Sequence, residues 1–116
     1  SENDVEGYAV IYQAWLRPNG KYSCVRIKGG SMLPVLAEGD IVAVNHARTD
    51  PEELNRKMVA LSLEEEGVTI KYLQVEPDRR HLVVYAENRA EWEPRFLELD
   101  QLRIVGAVEW AWRKFE

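Results

Sequence analysis

Ser31 stands where the chain changes direction. It lies within Arg26 to Val44, RIKGGSMLPVLAEGDIVAV, in which an alternating apolar segment meets Gly29 and Gly30, then Met32-Leu33-Pro34, then Gly39 and Asp40 ahead of a β-branched segment. A serine in such a place is either a turn residue, its hydroxyl bonded to nearby backbone, or a nucleophile held still by the stiff elements around it. Nucleophilic use requires a base, a donor for the developing oxyanion and a path for substrate, all supplied from elsewhere in the chain.

The chain has two histidines, His46 in a polar stretch and His81 after a charged turn, and neither has neighbours arranged as a metal site or a triad. Both read as surface residues. Glu64, Glu65 and Glu66 form a charge run suited to a solvated turn, and Asp40 reads as a brace beneath the serine. That leaves lysine. A neutral amine can take the hydroxyl proton and later hand one to a leaving amine, provided burial brings its pKa from about 10.4 toward neutrality. Ser-Lys pairs are a known form of the serine nucleophile.

Lys71 is the best-placed candidate. Alternation over Val68 to Val75 puts Val68, Ile70, Tyr72 and Gln74 on one side and Thr69, Lys71, Leu73 and Val75 on the other. The amine therefore shares its face with apolar neighbours, where it either snorkels to water or sits partly desolvated.

The elements that must position these residues read as strands. Tyr8 to Leu16, Lys21 to Lys28, Ile41 to Val44, Lys57 to Leu63, Val68 to Val75, His81 to Ala86, Pro94 to Leu99 and Leu102 to Trp112 are short apolar or alternating runs. They are separated by turn signals at Arg17-Pro18-Asn19-Gly20, at the serine turn, in a polar loop from Asn45 to Asn55 with one helical turn around Pro51, at Gly67, and at Pro77 to Arg80. A second polar loop, Glu87 to Glu93, carries Trp92. The expected fold is all-β and compact, with strongly bent mixed or antiparallel sheets. In the last strand, Val108, Trp110 and Trp112 fall on one parity and Val105, Ala107 and Ala111 on the other, so Val108, Trp110 and Trp112 are candidates for a dimer interface.

Composition narrows the function. A chain of 116 residues fits one domain, expected over 8–116 after a frayed segment 1–7. The net charge of -5 disfavours gripping a phosphate backbone. A single cysteine, Cys24, excludes an intrachain disulfide and a cysteine metal cluster, and its neighbours suggest a buried thiol. The opening residues lack a secretory pattern, and no apolar run approaches the roughly 20 residues that cross a bilayer. A cytoplasmic protein without cofactor or membrane contact is expected.

Taken in order, GGSMLPVLAEGDIVAV from Gly29, VTIKYL from Val68 and IVGAVEW from Ile104 resemble the catalytic C-terminal domain of the LexA-like self-cleaving repressors, a group that includes phage repressors and UmuD-type proteins. The likeness spans about Cys24 to Trp110. It implies that Ser31 is the nucleophile, Lys71 the general base and Met32 a backbone oxyanion donor, with the Ser31 N–H beside it. Gly30 replaces the aspartate usual before the serine, and Tyr72 the usual basic residue after the lysine. A signal peptidase has a similar Ser-Met-Pro motif, but the short span from Ser31 to Lys71 leaves little room for that enzyme's inserted domain.

In such repressors the cut falls at an Ala-Gly or Cys-Gly bond some thirty-odd residues before the serine. Counting back that far runs off this chain, so an N-terminal helix-turn-helix domain is expected to be missing and DNA to be reached only through it. The resemblance further implies a homodimer whose cleavage responds to a RecA filament or an antirepressor. The alternative is a module that keeps the fold for dimerisation or ligand binding without using the chemistry.

Overall fold

The computed structural model describes residues 15–64 and 66–115. The expected frayed segment 1–7 and most of the expected strand Tyr8 to Leu16 lie outside them; Trp15 and Leu16, which are described, are not in a strand. The remaining strands form where alternation places them: β1 (Tyr22–Arg26), β2 (Ile41–Asn45), β3 (Met58–Leu63), β4 (Gly67–Val75), β5 (His81–Tyr85), β6 (Arg95–Glu98) and β7 (Leu102–Trp112), with a short 3-10 turn at Leu99–Gln101. They make one seven-stranded sheet in the order β1-β2-β7-β3-β4-β5-β6, and every pairing is antiparallel.

Hairpin turns explain most of that order, since β1–β2, β3–β4, β4–β5 and β5–β6 are sequential neighbours. The exception is β7, which returns from the end of the chain to lie between β2 and β3. Its eleven residues divide the work: 102–107 pair with β3 and 107–112 with β2. Apolar side chains cover both faces. Val25, Ile27, Met32, Leu36, Val42 and Val44 pack with Ala60 and Ile70 in one cluster, and Leu54, Val59, Leu61, Leu73, Leu82 and Val84 form the other.

Two irregularities in β7 overturn the simple parity expected of it. Between Ala43 and Val44 the register slips, so that Ala43 faces Trp110 while Val44 faces Val108, and Glu109 is the extra residue. A second slip between Ala60 and Leu61 leaves Val105 extra. A bulge reverses the side on which later residues point. Val108 therefore shares a face with Val44 and packs into the core, whereas Trp110 shares a face with Ala43, so the three interface candidates are not one stripe.

Cys24 also departs from expectation. Val25 in β1 and Ile27 just past it are on the buried parity, and Cys24 lies on the wetter one, half-buried, with burial pushing its thiol pKa up.

Gly106 of β7 fits closely against β2. A Cβ there would stand 2.5 Å from the Asn45 carbonyl oxygen and 2.7 Å from Val44 Cγ1, the first being backbone that has little freedom to retreat. Gly106→Ala is predicted to cost about 2 kcal/mol and to lower the thermal unfolding midpoint by roughly 10 °C, measured by circular dichroism. An unchanged midpoint would mean that β7 does not lie this close to β2.

Candidate active site

The serine turn leaves the sheet between β1 and β2 and is closed at its base by backbone. Ile27 N–H donates to Asp40 O at 2.8 Å and Gly39 N–H to Ile27 O at 2.9 Å, extending the β1–β2 ladder past its last paired residues. Gly29 and Gly39 take φ of +74° and +94°, a region that other L-residues rarely enter, so both glycines serve the reversal itself. Within the turn, Leu33 N–H donates to Gly30 O and Leu36 N–H to Met32 O, while the Met32 and Leu36 side chains are buried in the core. Ser31 is thus held beside a buried anchor, half-exposed itself.

Lys71 comes from the middle of β4, opposite Val59, and only 3% of its surface is exposed. Its Nζ lies 3.1 Å from Ser31 Oγ and 2.6 Å from Thr69 Oγ1. Two residues 40 apart in sequence therefore meet at hydrogen-bond distance, and the Thr69 hydroxyl, on the same side of β4, supplies a second contact. The ring of Trp92 lies over the amine, with Nζ 4.8 Å from its centroid, and Arg95 Cζ stands at the same distance from that ring. Trp92 packs against both apolar clusters, so this cover is part of the core.

The other sequence candidates fall elsewhere. His46 bonds Ser23 Oγ at 2.6 Å and the Val105 carbonyl at 3.0 Å, and His81 Nδ1 lies 2.5 Å from Asp78 Oδ2. Among the described residues, no group of three or more His, Cys, Asp or Glu side chains is placed to hold a metal ion. Trp110, 37% exposed, stacks on Trp15 with centroids 4.9 Å apart, and its Nε1–H donates to Trp15 O at 2.8 Å. Trp112 is half-buried, opposite Ile41.

Residues 1–109 match the family described as Peptidase S24-like. The chain belongs to the Peptidase S24-like family. Over 113 residues, 97% of the chain, it is 27% identical to a LexA repressor of Thermotoga neapolitana, and it covers 51% of that repressor, about half its length. It is thus an S24 domain similar to part of a LexA repressor, and its all-β sheet is the one expected of such a domain. Among the described residues no helix is long and apolar enough to cross a membrane.

Several residues around Ser31 and Lys71 carry no local mark in the sequence. Thr69 is the exception, since its i, i−2 spacing on a strand puts it on the side of Lys71. Asn88 donates from its backbone N–H to Ser31 O at 2.8 Å and from its side chain to Gly30 O at 3.1 Å. Arg113, just past β7, clamps the far end of the serine turn: Nε and Nη2 donate to the two Asp40 oxygens at 2.9 and 2.7 Å, and Asp40 also accepts from Ala37 N–H at 2.8 Å. The hydrogen bonds from Arg113 outweigh the burial of Asp40, 3% exposed, and hold its carboxyl below the usual range.

A depressed carboxyl pKa stabilises the fold above the unfolded value of about 4 and stops doing so as pH falls through the folded value. The parent is therefore predicted to be more stable than Asp40→Asn at neutral pH, with the gap closing below about pH 4. Urea midpoints of both proteins across pH test this, and a gap that stays constant down to pH 2 would contradict it.

Proposed function

We propose that this domain is the autoproteolytic and dimerisation domain of a LexA- or phage-type transcriptional repressor, and that it cuts a peptide segment preceding it in the same polypeptide. The observation that carries this is the 3.1 Å approach of a buried lysine amine to the Ser31 hydroxyl. Family membership and likeness to a LexA repressor support it.

In this mechanism the neutral Lys71 amine removes the Ser31 proton as Oγ adds to the scissile carbonyl. The oxyanion is received by the N–H groups of Met32 and Ser31. Collapse of the tetrahedral species breaks the C–N bond, and the Lys71 ammonium protonates the leaving amine. Water then hydrolyses the Ser31 ester, giving one proton to Lys71, which returns it to Oγ. Thr69 holds the amine in direction, and tethering keeps the cleavage segment at high effective concentration. Regulation then consists of changing how often that segment occupies the site, through a RecA filament or an antirepressor, in a cytoplasmic homodimer that reaches DNA through a separate N-terminal domain.

Incubation of the chain with its preceding segment attached tests the chemistry. Cleavage is predicted to accelerate as pH rises, because the neutral amine is the working base, and Ser31→Ala and Lys71→Ala are predicted to slow it by about 10²- to 10⁴-fold. Variants that cut as fast as the parent would refute the dyad. Dimerisation is tested separately by sedimentation: twice the chain mass is expected at micromolar concentration, and a monomer at high micromolar concentration would remove that part of the proposal.

A further inference from the structure

The peptide groups on either side of Ser31 are both fixed by one residue of another loop. Asn88 lies between β5 and β6, and its two hydrogen bonds reach the carbonyl oxygens of Gly30 and Ser31. A peptide unit is planar, and in its trans form the N–H points away from the C=O. Among the described residues the one cis peptide is Leu33-Pro34, so the units joining Gly30 to Ser31 and Ser31 to Met32 are trans. Pinning Gly30 O therefore sets the direction of Ser31 N–H, and pinning Ser31 O sets that of Met32 N–H. These two N–H groups are the oxyanion donors of the mechanism above.

The loop carrying Asn88 is itself anchored. Glu87 N–H approaches Met32 Sδ at 3.5 Å, and the Glu87 carboxylate accepts from Tyr72 OH at 2.7 Å, next to Lys71 in β4. Farther along, Trp92 packs in the core over the Lys71 amine, and Arg95 beyond it is ion-paired with Glu66. The Asn88 amide is thus referenced to the strand that bears the base as well as to the turn that bears the nucleophile.

We propose that Asn88 is the positioning residue of the oxyanion hole, orienting the Ser31 and Met32 N–H groups through their own peptide planes. This rests on the Ser31–Lys71 dyad proposed above. Asn88 touches no reacting atom. Its effect falls on stabilisation of the oxyanion and leaves the base alone, so its loss lowers the rate without moving the pH dependence.

The test is the rate at which a fluorophosphonate probe labels Ser31 of the 116-residue chain, followed across pH by mass spectrometry. Asn88→Asp keeps the shape and removes the side-chain donor. It and Asn88→Ala are predicted to label roughly ten- to a hundredfold more slowly, the uncharged Asn88→Ala with the parent's pH midpoint, and Asn88→Gln, which keeps a donor, to recover part of the rate. A folded Asn88→Asp or Asn88→Ala that labels at the parent rate, or a loss in Asn88→Ala that comes with a shifted midpoint, would overturn the role of Asn88.

The parent alone supplies an independent measurement. Once the probe has reacted, the Ser31 and Met32 amide protons are predicted to shift downfield as they meet the phosphonyl oxygen, and no shift at either would equally overturn the proposal. Failure of the dyad has a different signature: no labelling of Ser31 in the parent, or labelling that persists undiminished in Lys71→Ala.

Discussion

A hydroxyl and an amine from distant parts of a chain meet only if something rigid spans the distance, and here that is β7. The serine turn belongs to the β1–β2 hairpin, the lysine to the β3–β4–β5–β6 meander, and β7 is hydrogen-bonded to both, to β2 through its second half and to β3 through its first. Without it, Ser31 and Lys71 would ride on separate units. The two bulges follow from this double duty, because a single strand matching two differently placed partners must absorb the mismatch locally. Gly106, against the Asn45 backbone, marks one close approach.

Buried polar contacts complete what β7 begins. The bulge residue Glu109 turns its carboxylate to Tyr22 OH, Asn45 Nδ2 and Arg48 Nη1, at 2.5, 3.0 and 2.8 Å. Burial alone would raise the Glu109 pKa, but the bonds from Tyr22, Arg48 and Asn45 outweigh it, and the net shift is downward. Those partners lie on β1, at the end of β2 and in the following loop, so the bulge ties the hairpin to the central strand. Arg113, leaving β7, does the same for the serine turn through Asp40. Among the described residues no buried side-chain nitrogen or oxygen lacks a hydrogen-bond partner, as a polar framework of this kind requires.

Much of this was legible in the sequence. Period-2 alternation is a local property, and it located β1 through β7 to within a few residues. Ser31 and Lys71 stood out because a Gly-Gly-Ser turn and a lysine amid apolar strand neighbours are both unusual locally. The partners that orient them are ordinary in isolation. Asn88 sits in a polar loop, Arg113 in a charged tail, and each acquires its role only when the sheet brings it against a backbone carbonyl or a buried carboxylate. The same limit applies to β7: a run of residues with apolar side chains on both parities hides its bulges, so Val108 and Trp110 seem to share a face until the register with β2 is known.

The chemistry proposed for the site depends on a few tenths of an ångström among Ser31 Oγ, Lys71 Nζ and the N–H groups of Ser31 and Met32. A crystal structure of the chain reacted with a peptide boronate would examine all of them together, since boron takes the place of the attacked carbonyl carbon. The predicted result is a bond from Ser31 Oγ to boron, one boronate oxygen within hydrogen-bond reach of the Ser31 and Met32 N–H groups, and Lys71 Nζ still in contact with Oγ. An intact fold with Ser31 unmodified, or with the boronate oxygens turned away from those two N–H groups, would contradict the assignment.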